Sequence, residues 1–559
     1  MSKFVIYQLL PRLFGNKSTT RKHNGTLAEN GCGKFNDITP AALRAIAHNG
    51  ATHVWYTGIL EHATCTDYSA YGIGRDVASV VKGNAGSPYA VKDYYDVDPD
   101  LAVDVEHRIE EFEALVERTH AAGLKVIIDL VPNHVARIYH SDKKPAGVVD
   151  FGEGDNSGWA FSPLNNFYYM PGERFQPGFD IAGYEEFPAR ASGNDVFHAH
   201  PSRNDWYDTV KLNYGVFYTG DGSRQFDPVP DTWLKMLDIV LYWARKGVDG
   251  FRCDMVEMVP VEFWAWMIPQ VKAEFPDMLF IAEIYNPDQY RNYLHTGGFD
   301  YLYDKVGMYD KLRCIMTRNH DAADITQCWQ AVEDIQDHML NFLENHDEQR
   351  IASGFFAGSG IYAKPAIIAA ATLNRAPFML YMGQELGEYG MDMEGFSGID
   401  GRTSIFDYWS LPSLQAWSSG GSYDGSMLND EQRSLQQFYR RVLDIAMNNS
   451  AVCRGRMYDL EYAQYSPDFN RHKHFVYMRS LDDEVLLIVL NFDDKTGDMH
   501  LSIPAEAFAY LELAEHRLWH MKDLLDSTST TETQELSSSH YVHVTVPAWS
   551  GRIIQLRPQ

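Results

Sequence analysis

Residues 106–131 read EHRIEEFEALVERTHAAGLKVIIDLV, and two different periods meet within them. Ile109, Phe112, Leu115, Val116 and Thr119 recur at helical spacing and form one face; acidic side chains fill the other, and Gly123 supplies a stop. From Lys125 to Val131 the apolar residues run on without alternation, as in a strand buried on both faces. An amphipathic helix leading into such a strand is the unit of a parallel α/β domain. A second unit of the same kind comprises the helix Asp231–Lys246, the stop Gly247 and the strand holding Phe251 and Arg252.

Outward from these units, strand-like runs begin at Phe4, His53, Lys125, Asp249, Leu279, Phe299, Met339 and Pro377. Eight strands alternating with helices predict an α/β fold, a closed (β/α)8 TIM barrel, rather than an open sheet. From His134 to about Gly222 the chain is rich in Gly, Asn, Pro and aromatics and shows little period. A structureless loop of that length is improbable in a compact domain, so residues 135–222 are expected to form an inserted domain B after strand 3. That places it at the face where barrels carry active sites. The catalytic barrel is then divided into 1–134 and 223–450, with Glu431–Met447 as its last helix. Beyond it, alternating runs at Phe475–Arg479, Val485–Phe492 and Tyr541–Leu556 predict a C-terminal antiparallel β-sandwich domain over 451–559. Asp526–Ser539, rich in Ser, Thr and Glu, reads as a surface loop.

A composition of 45% hydrophobic and 22% charged residues suits a globular chain with ample core. The formal charge of −28 disfavours nucleic acid and anionic membrane surfaces as partners, since both carry the same sign. Cys32, Cys65, Cys253, Cys314, Cys328 and Cys453 show neither CxxC nor ligand-like spacing, so no disulfide framework or zinc site is expected. Met1-Ser2-Lys3 runs directly into the strand at Phe4 with no apolar leader before it, which makes cytoplasmic the expected location. The many Tyr and Trp side chains offer flat apolar faces with polar edges, which suit sugar rings as well as cores.

Four segments fall at the C-terminal ends of predicted strands: DLVPNH (129–134), GFRCD (250–254), FIAE (280–283) and FLENHD (342–347). Each puts a carboxylate where barrels do chemistry. In this order and context they resemble the signature motifs of the α-amylase superfamily, glycoside hydrolase family 13, and the likeness runs from Tyr7-Gln8 to the C-terminal sandwich. The resemblance implies that Asp254 is the nucleophile, that Glu283 is the acid/base, and that Asp347 grips the sugar at subsite −1. Retaining cleavage needs the first two carboxyls about 5–5.5 Å apart, a separation that neighbouring strands can supply. Arg252 lies two residues before Asp254 and so faces the same way, where its fixed cation would keep Asp254 ionised. His134 and His346 match the family's ring-binding histidines, and Tyr89 in Ser87–Tyr94 matches its stacking tyrosine. Asp129 and Glu257 join the substrate-facing set, and Asn133 matches a residue that ligates structural Ca²⁺ in α-amylases. No cofactor is needed for the chemistry itself.

The chain also departs from the family pattern. Ala90 stands where α-glucosidases of the family usually carry Asp, which argues against a dedicated exo-acting enzyme. Glu257-Met258 replace a Lys-His pair of many α-amylases, and Lys211-Leu212-Asn213 resemble neopullulanase and cyclomaltodextrinase relatives. The expected function is retaining hydrolysis of α-1,4-glucosidic bonds in starch-derived α-glucan or maltooligosaccharide substrates. The alternatives are a family 13 transglycosylase, a cyclomaltodextrinase/neopullulanase-type enzyme, and a non-catalytic sugar-binding protein. Retention of all three acids, Arg252 and both histidines speaks against the last. Sequence leaves endo or exo action and the oligomeric state open.

Overall fold

A computed structural model describes residues 3–559; the Met1-Ser2 start used in the argument on location lies outside them. Eight parallel strands form a closed barrel: β1 Val5–Leu9, β2 His53–Tyr56, β3 Lys125–Leu130, β4 Gly250–Cys253, β5 Leu279–Ala282, β6 Tyr301–Tyr303, β7 Met339–Phe342 and β8 Phe378–Tyr381. They neighbour one another in chain order, and β1 closes the ring by pairing Ile6 with His53 and Val5 with Phe378. Every strand starts within two residues of the position predicted for it. Their side chains are buried inside the ring and beneath the helices, which is why the runs carry no polar alternation.

The helix before β3 spans Arg108–Ala121 and buries Phe112, Leu115, Val116 and Thr119; Gly123 follows at φ +78°. The predicted first turn at Glu106 is instead a separate 3₁₀ turn, Val105–His107, whose Glu106 amide is accepted by Asp104 at 3.1 Å. Arg108 is buried there while Ile109 is half-exposed, because the Arg108 guanidinium pairs with the buried Asp96 carboxylate at 2.5 Å.

Beyond β3 the chain pairs His134–Ala136 with Thr209–Lys211, so the long excursion leaves and re-enters at one place on the barrel face. Within it Tyr169–Met170 pairs with Ala189–Arg190, and polar contacts hold much of the rest. Arg137 alone reaches Glu186, the Ser192 hydroxyl and the carbonyl of Thr209, each at 2.8 Å. A segment tied by such contacts has no reason to show a hydrophobic period.

At the C-terminal end a six-stranded antiparallel sheet runs in the order Arg456–Asp459, His474–Leu481, Glu484–Asn491, Ser550–Pro558, Arg517–Asp523, Glu532–Leu536. A second sheet pairs Gly497–Leu501 with Val542–Val546. The middle strands of the large sheet are buried on both faces. Phe475, Tyr477, Leu486, Ile488 and Leu490 join the barrel core, while the alternate residues Val476, Met478, Val485, Leu487 and Val489 fill the sandwich. Two expectations are corrected here. Tyr541–Leu556 is two strands in different sheets, parted at Pro547–Trp549, where Trp549 takes φ +48°. Asp526–Ser539 is not all loop: Glu532–Leu536 is an edge strand whose polar residues face water and whose Leu536 alone is buried. Among the described residues no helix is long and apolar enough to cross a membrane.

Candidate active site

The barrel ladder extends past the ends of β4 and β5. The Asp254 amide donates to the Leu130 carbonyl at 2.8 Å and the Glu283 amide to the Cys253 carbonyl at 3.0 Å. The backbones bearing both carboxylates are therefore held by sheet hydrogen bonds, not by loops. Arg252 rises between them inside the ring, 1% exposed. One Nη lies 2.8 Å from Asp254 Oδ1 and 3.4 Å from Asp129 Oδ1, and the other lies 2.9 Å from Glu283 Oε1. Its Nε donates to the Tyr303 hydroxyl at 3.2 Å, and the rings of Trp55, Tyr89 and Tyr303 surround it at 5.2–5.6 Å. A single fixed cation thus holds three carboxylates in a water-poor setting, where such contacts are strong.

Glu283 accepts from the Met255 amide on Oε2 at 2.8 Å and from the Tyr285 hydroxyl on Oε1 at 2.6 Å. Burial, and then the charge of Glu283, push Asp254 well above the usual carboxylate range against the pull of Arg252. Burial and the second acid thus favour the neutral form of Asp254, and Arg252 favours the ionised one. Burial works the same way on Asp347, but His346 at 2.9 Å, and Arg252 beyond it, hold Asp347 below the usual range.

The His346 ring is fixed from both sides. Gln8 Nε2 donates to its Nδ1 at 2.8 Å, so Nε2 carries the hydrogen that faces Asp347 and the Tyr89 oxygen, 2.5 Å away. Tyr89 lies nearly flat on this ring at 5.2 Å and donates its hydroxyl to Asp129 at 3.2 Å. Asp129 also accepts from Trp55 Nε1 at 3.0 Å. Asp129, Arg252 and His346 form the floor, while Tyr89, His134, Asp254, Glu283 and Asp347 line a cavity of about 440 Å³ above it. Burial, and then the charges of Lys211 and Lys82, bring the pKa of His134 down to about 3. The neutral ring accepts on Nδ1 from the Asn133 amide at 3.1 Å, leaving an Nε2–H to donate.

Asn133 does not fit a calcium site. The Lys211 ammonium lies 2.5 Å from its Oδ1, and the same nitrogen contacts Asp195 Oδ1 at 2.6 Å and the Met258 carbonyl at 3.1 Å. Those oxygens are the hard donors that Ca²⁺ would take, and a cation of the chain's own already stands among them.

Two further expectations change. The Glu257 carboxylate does not join the cavity; it accepts from the backbone amides of Tyr285 at 2.7 Å and Asn286 at 3.2 Å and so ties down the loop after β5. Ala90, 1% exposed, packs against Ala63, Val81 and Ala136, so its side chain faces the core and carries no information on chain-end binding. Conversely, sequence reasoning passed over Tyr285, Trp206, Phe396 and Phe406, all of which line the cavity. A neighbouring pocket of about 430 Å³ shares Lys82, Phe396 and Phe406 with the first, so the cleft runs on past the carboxylates.

Known proteins share this fold and part of this sequence. The family model described as the alpha amylase catalytic domain matches residues 8–420. Alpha-amylase 3 of Dictyoglomus thermophilum is 23% identical over 450 residues, which cover 76% of this chain and 79% of that one. An alpha-1,4-glucan:maltose-1-phosphate maltosyltransferase of Mycolicibacterium smegmatis is 23% identical over 485 residues, covering 83% of this chain but 54% of its own length. The solved structure of the maltogenic alpha-amylase AmyB from Thermotoga neapolitana shares the fold, with a TM-score of 0.62 at 19% identity over 99% of this chain and 98% of that one. With the family model spanning the barrel and its long insertion, the chain belongs to the α-amylase family of glycoside hydrolases, family 13.

Proposed function

We propose that the chain hydrolyses α-1,4-glucosidic bonds of starch-derived glucans or maltooligosaccharides with retention of configuration. The observation that carries this reading is the contact of one buried guanidinium, Arg252, with both Asp254 and Glu283 at the floor of a cavity edged by aromatic rings. In the first step Glu283 gives its proton to the glycosidic oxygen as Asp254 attacks the anomeric carbon, and the leaving chain departs with its new hydroxyl. In the second, Glu283 takes a proton from water, which displaces Asp254 from the glycosyl-enzyme. Arg252 keeps Asp254 in line, and Asp347 and His346 accept and donate at the hydroxyls of the distorting ring. The extension of the cleft through Lys82, Phe396 and Phe406 favours substrates of several glucose units.

A time course of products from maltoheptaose tests the reading, with Asp254→Asn as control. Mixed shorter maltooligosaccharides that the variant fails to make support hydrolysis of α-1,4 bonds. Products longer than the substrate would move the assignment to glycosyl transfer, and near-normal turnover by the variant would overturn Asp254 as nucleophile.

A further inference from the structure

After β2 the chain forms a hairpin, Leu60–His62 against Val91–Val97. Within it Glu61, Asp93 and Asp96 bring one carboxylate oxygen each into a common space, all within 4.8 Å of one another. None of the three is more than 1% exposed. Their surroundings differ. Asp93 accepts from the Ser141 hydroxyl at 2.6 Å and from the amides of Tyr95 and Lys143 at 2.7 and 2.9 Å. Asp96 accepts from the Val97 amide at 2.7 Å and from the guanidinium of Arg108. Glu61 has no hydrogen-bond donor on either oxygen. The nearest cation, Lys92, stands 3.8 Å from Glu61, and it is engaged by Asp76 at 3.2 Å and by the Gly74 carbonyl.

Two things are unsatisfied at once. Glu61 has given up hydration without gaining a partner, which buried carboxylates avoid. The acids Glu61, Asp76, Asp93 and Asp96, whose side chains are at most 2% exposed, also outnumber the cations Lys92 and Arg108 by two charges. A divalent ion answers both needs. Oxygens up to 4.8 Å apart can be spanned by an ion that bonds each at about 2.3–2.6 Å. An all-carboxylate set without nitrogen or sulfur suits a hard cation rather than zinc or copper. Mg²⁺, which keeps several of its waters, suits a buried all-protein set less well than Ca²⁺ does.

We propose that Glu61, Asp93 and Asp96 hold a Ca²⁺ ion. The site lies apart from Asn133, whose oxygen Lys211 takes. Its place in the fold gives it a role: Tyr89 leads directly into the strand Val91–Val97, and Asp93 fastens that strand to the long insertion through Ser141 and Lys143. The ion would stiffen the cavity wall and the root of the insertion together, without touching the reacting atoms.

The test is calorimetric titration of the EDTA-stripped full chain with CaCl₂, alongside thermal unfolding with and without the ion, for the wild type and for Glu61→Gln. The proposal expects one Ca²⁺ per chain, a calcium-dependent rise in Tm, and loss of both in Glu61→Gln. Glu61→Asp, which keeps the charge but shortens its reach, should weaken binding by about tenfold and guards against a Gln variant that fails to fold. A wild type that binds no Ca²⁺ and unfolds at the same temperature with or without it would overturn the proposal and leave a proton on Glu61 instead. Equal Ca²⁺ binding by wild type and Glu61 variants would overturn it too. Neither result bears on maltoheptaose cleavage, so the two readings fail separately.

Discussion

Tyr285 donates its hydroxyl to Glu283 Oε1 at 2.6 Å from a position two residues further along the same chain end. With the Met255 amide on Oε2 at 2.8 Å, it orients the carboxyl on both oxygens. Tyr285→Phe keeps the ring and removes one hydrogen bond to the Glu283 carboxyl, an interaction of roughly 0.5–1.5 kcal/mol. The expected outcome is a fall in kcat of about two- to tenfold with KM little changed, read from steady-state kinetics on maltoheptaose. A wild-type kcat would remove Tyr285 from the catalytic arrangement.

Glu283→Gln separates proton donation from attack. Its activity on unactivated glucans should fall by about three orders of magnitude, whereas an aryl glycoside with a good leaving group should lose far less in its first step. Equal losses on both substrates would count against Glu283 as the proton donor.

Lys211→Met withdraws the ammonium from Asn133 and Asp195 but keeps most of the aliphatic stem. Asp195 is 43% exposed, so part of the ion pair is screened by water. A loss of stability on the order of 2 kcal/mol is expected, below the range for a fully buried pair. Urea unfolding measures it, and an unchanged midpoint would show that the joint does not depend on this charge.

His62 makes the acid side of the stability profile testable. Its Nε2 faces Arg12 Nη2 at 2.6 Å and its Nδ1 donates to the Leu60 carbonyl at 2.9 Å. Burial, and then Arg12, lower its pKa from 6.5 to about 4. Below pH 6.5 the unfolded chain takes up a proton that the folded chain refuses, so stability falls as pH falls. At about pH 5 the loss is on the order of 2 kcal/mol. His62→Gln removes that component, and its Tm should drop less between about pH 7 and pH 5 than the wild type's. Identical drops would place the acid sensitivity at other groups.

Ala90→Asp would put a carboxylate among the apolar side chains of Ala63, Val81 and Ala136. Lower stability and lower yield of folded protein are expected, with the product pattern of the folded fraction unchanged. A shift toward end-products at wild-type Tm would show that position 90 faces the substrate after all.

The barrel was legible because strands covered on both sides leave unbroken runs such as Lys125–Val131, and because an acid just past a strand end stands out. Tyr285 was legible in principle: it follows Glu283 by two residues, and alternate residues of an extended chain face the same way. Nothing local could have announced Trp206 or Phe406, since their segments are placed by polar contacts such as Asn194 with Asp205 at 2.9 Å. The meeting of Lys211 with Asn133 spans 78 residues and depends on an antiparallel pairing that has no sequence period of its own. Glu257 and Ala90 were misread for a related reason. Alignment to a motif gives a position along the chain, whereas the direction of a side chain is settled by what packs around it.

The ammonium of Lys211 has a consequence for the conditions under which the two halves of the cleft stay together. A counter-charge that is part of the polypeptide cannot be washed out, chelated or diluted; its stoichiometry is set at translation. The contact at Asn133 therefore draws no ion from solution, and alkali weakens it, because burial brings the ammonium's pKa down from its ordinary value.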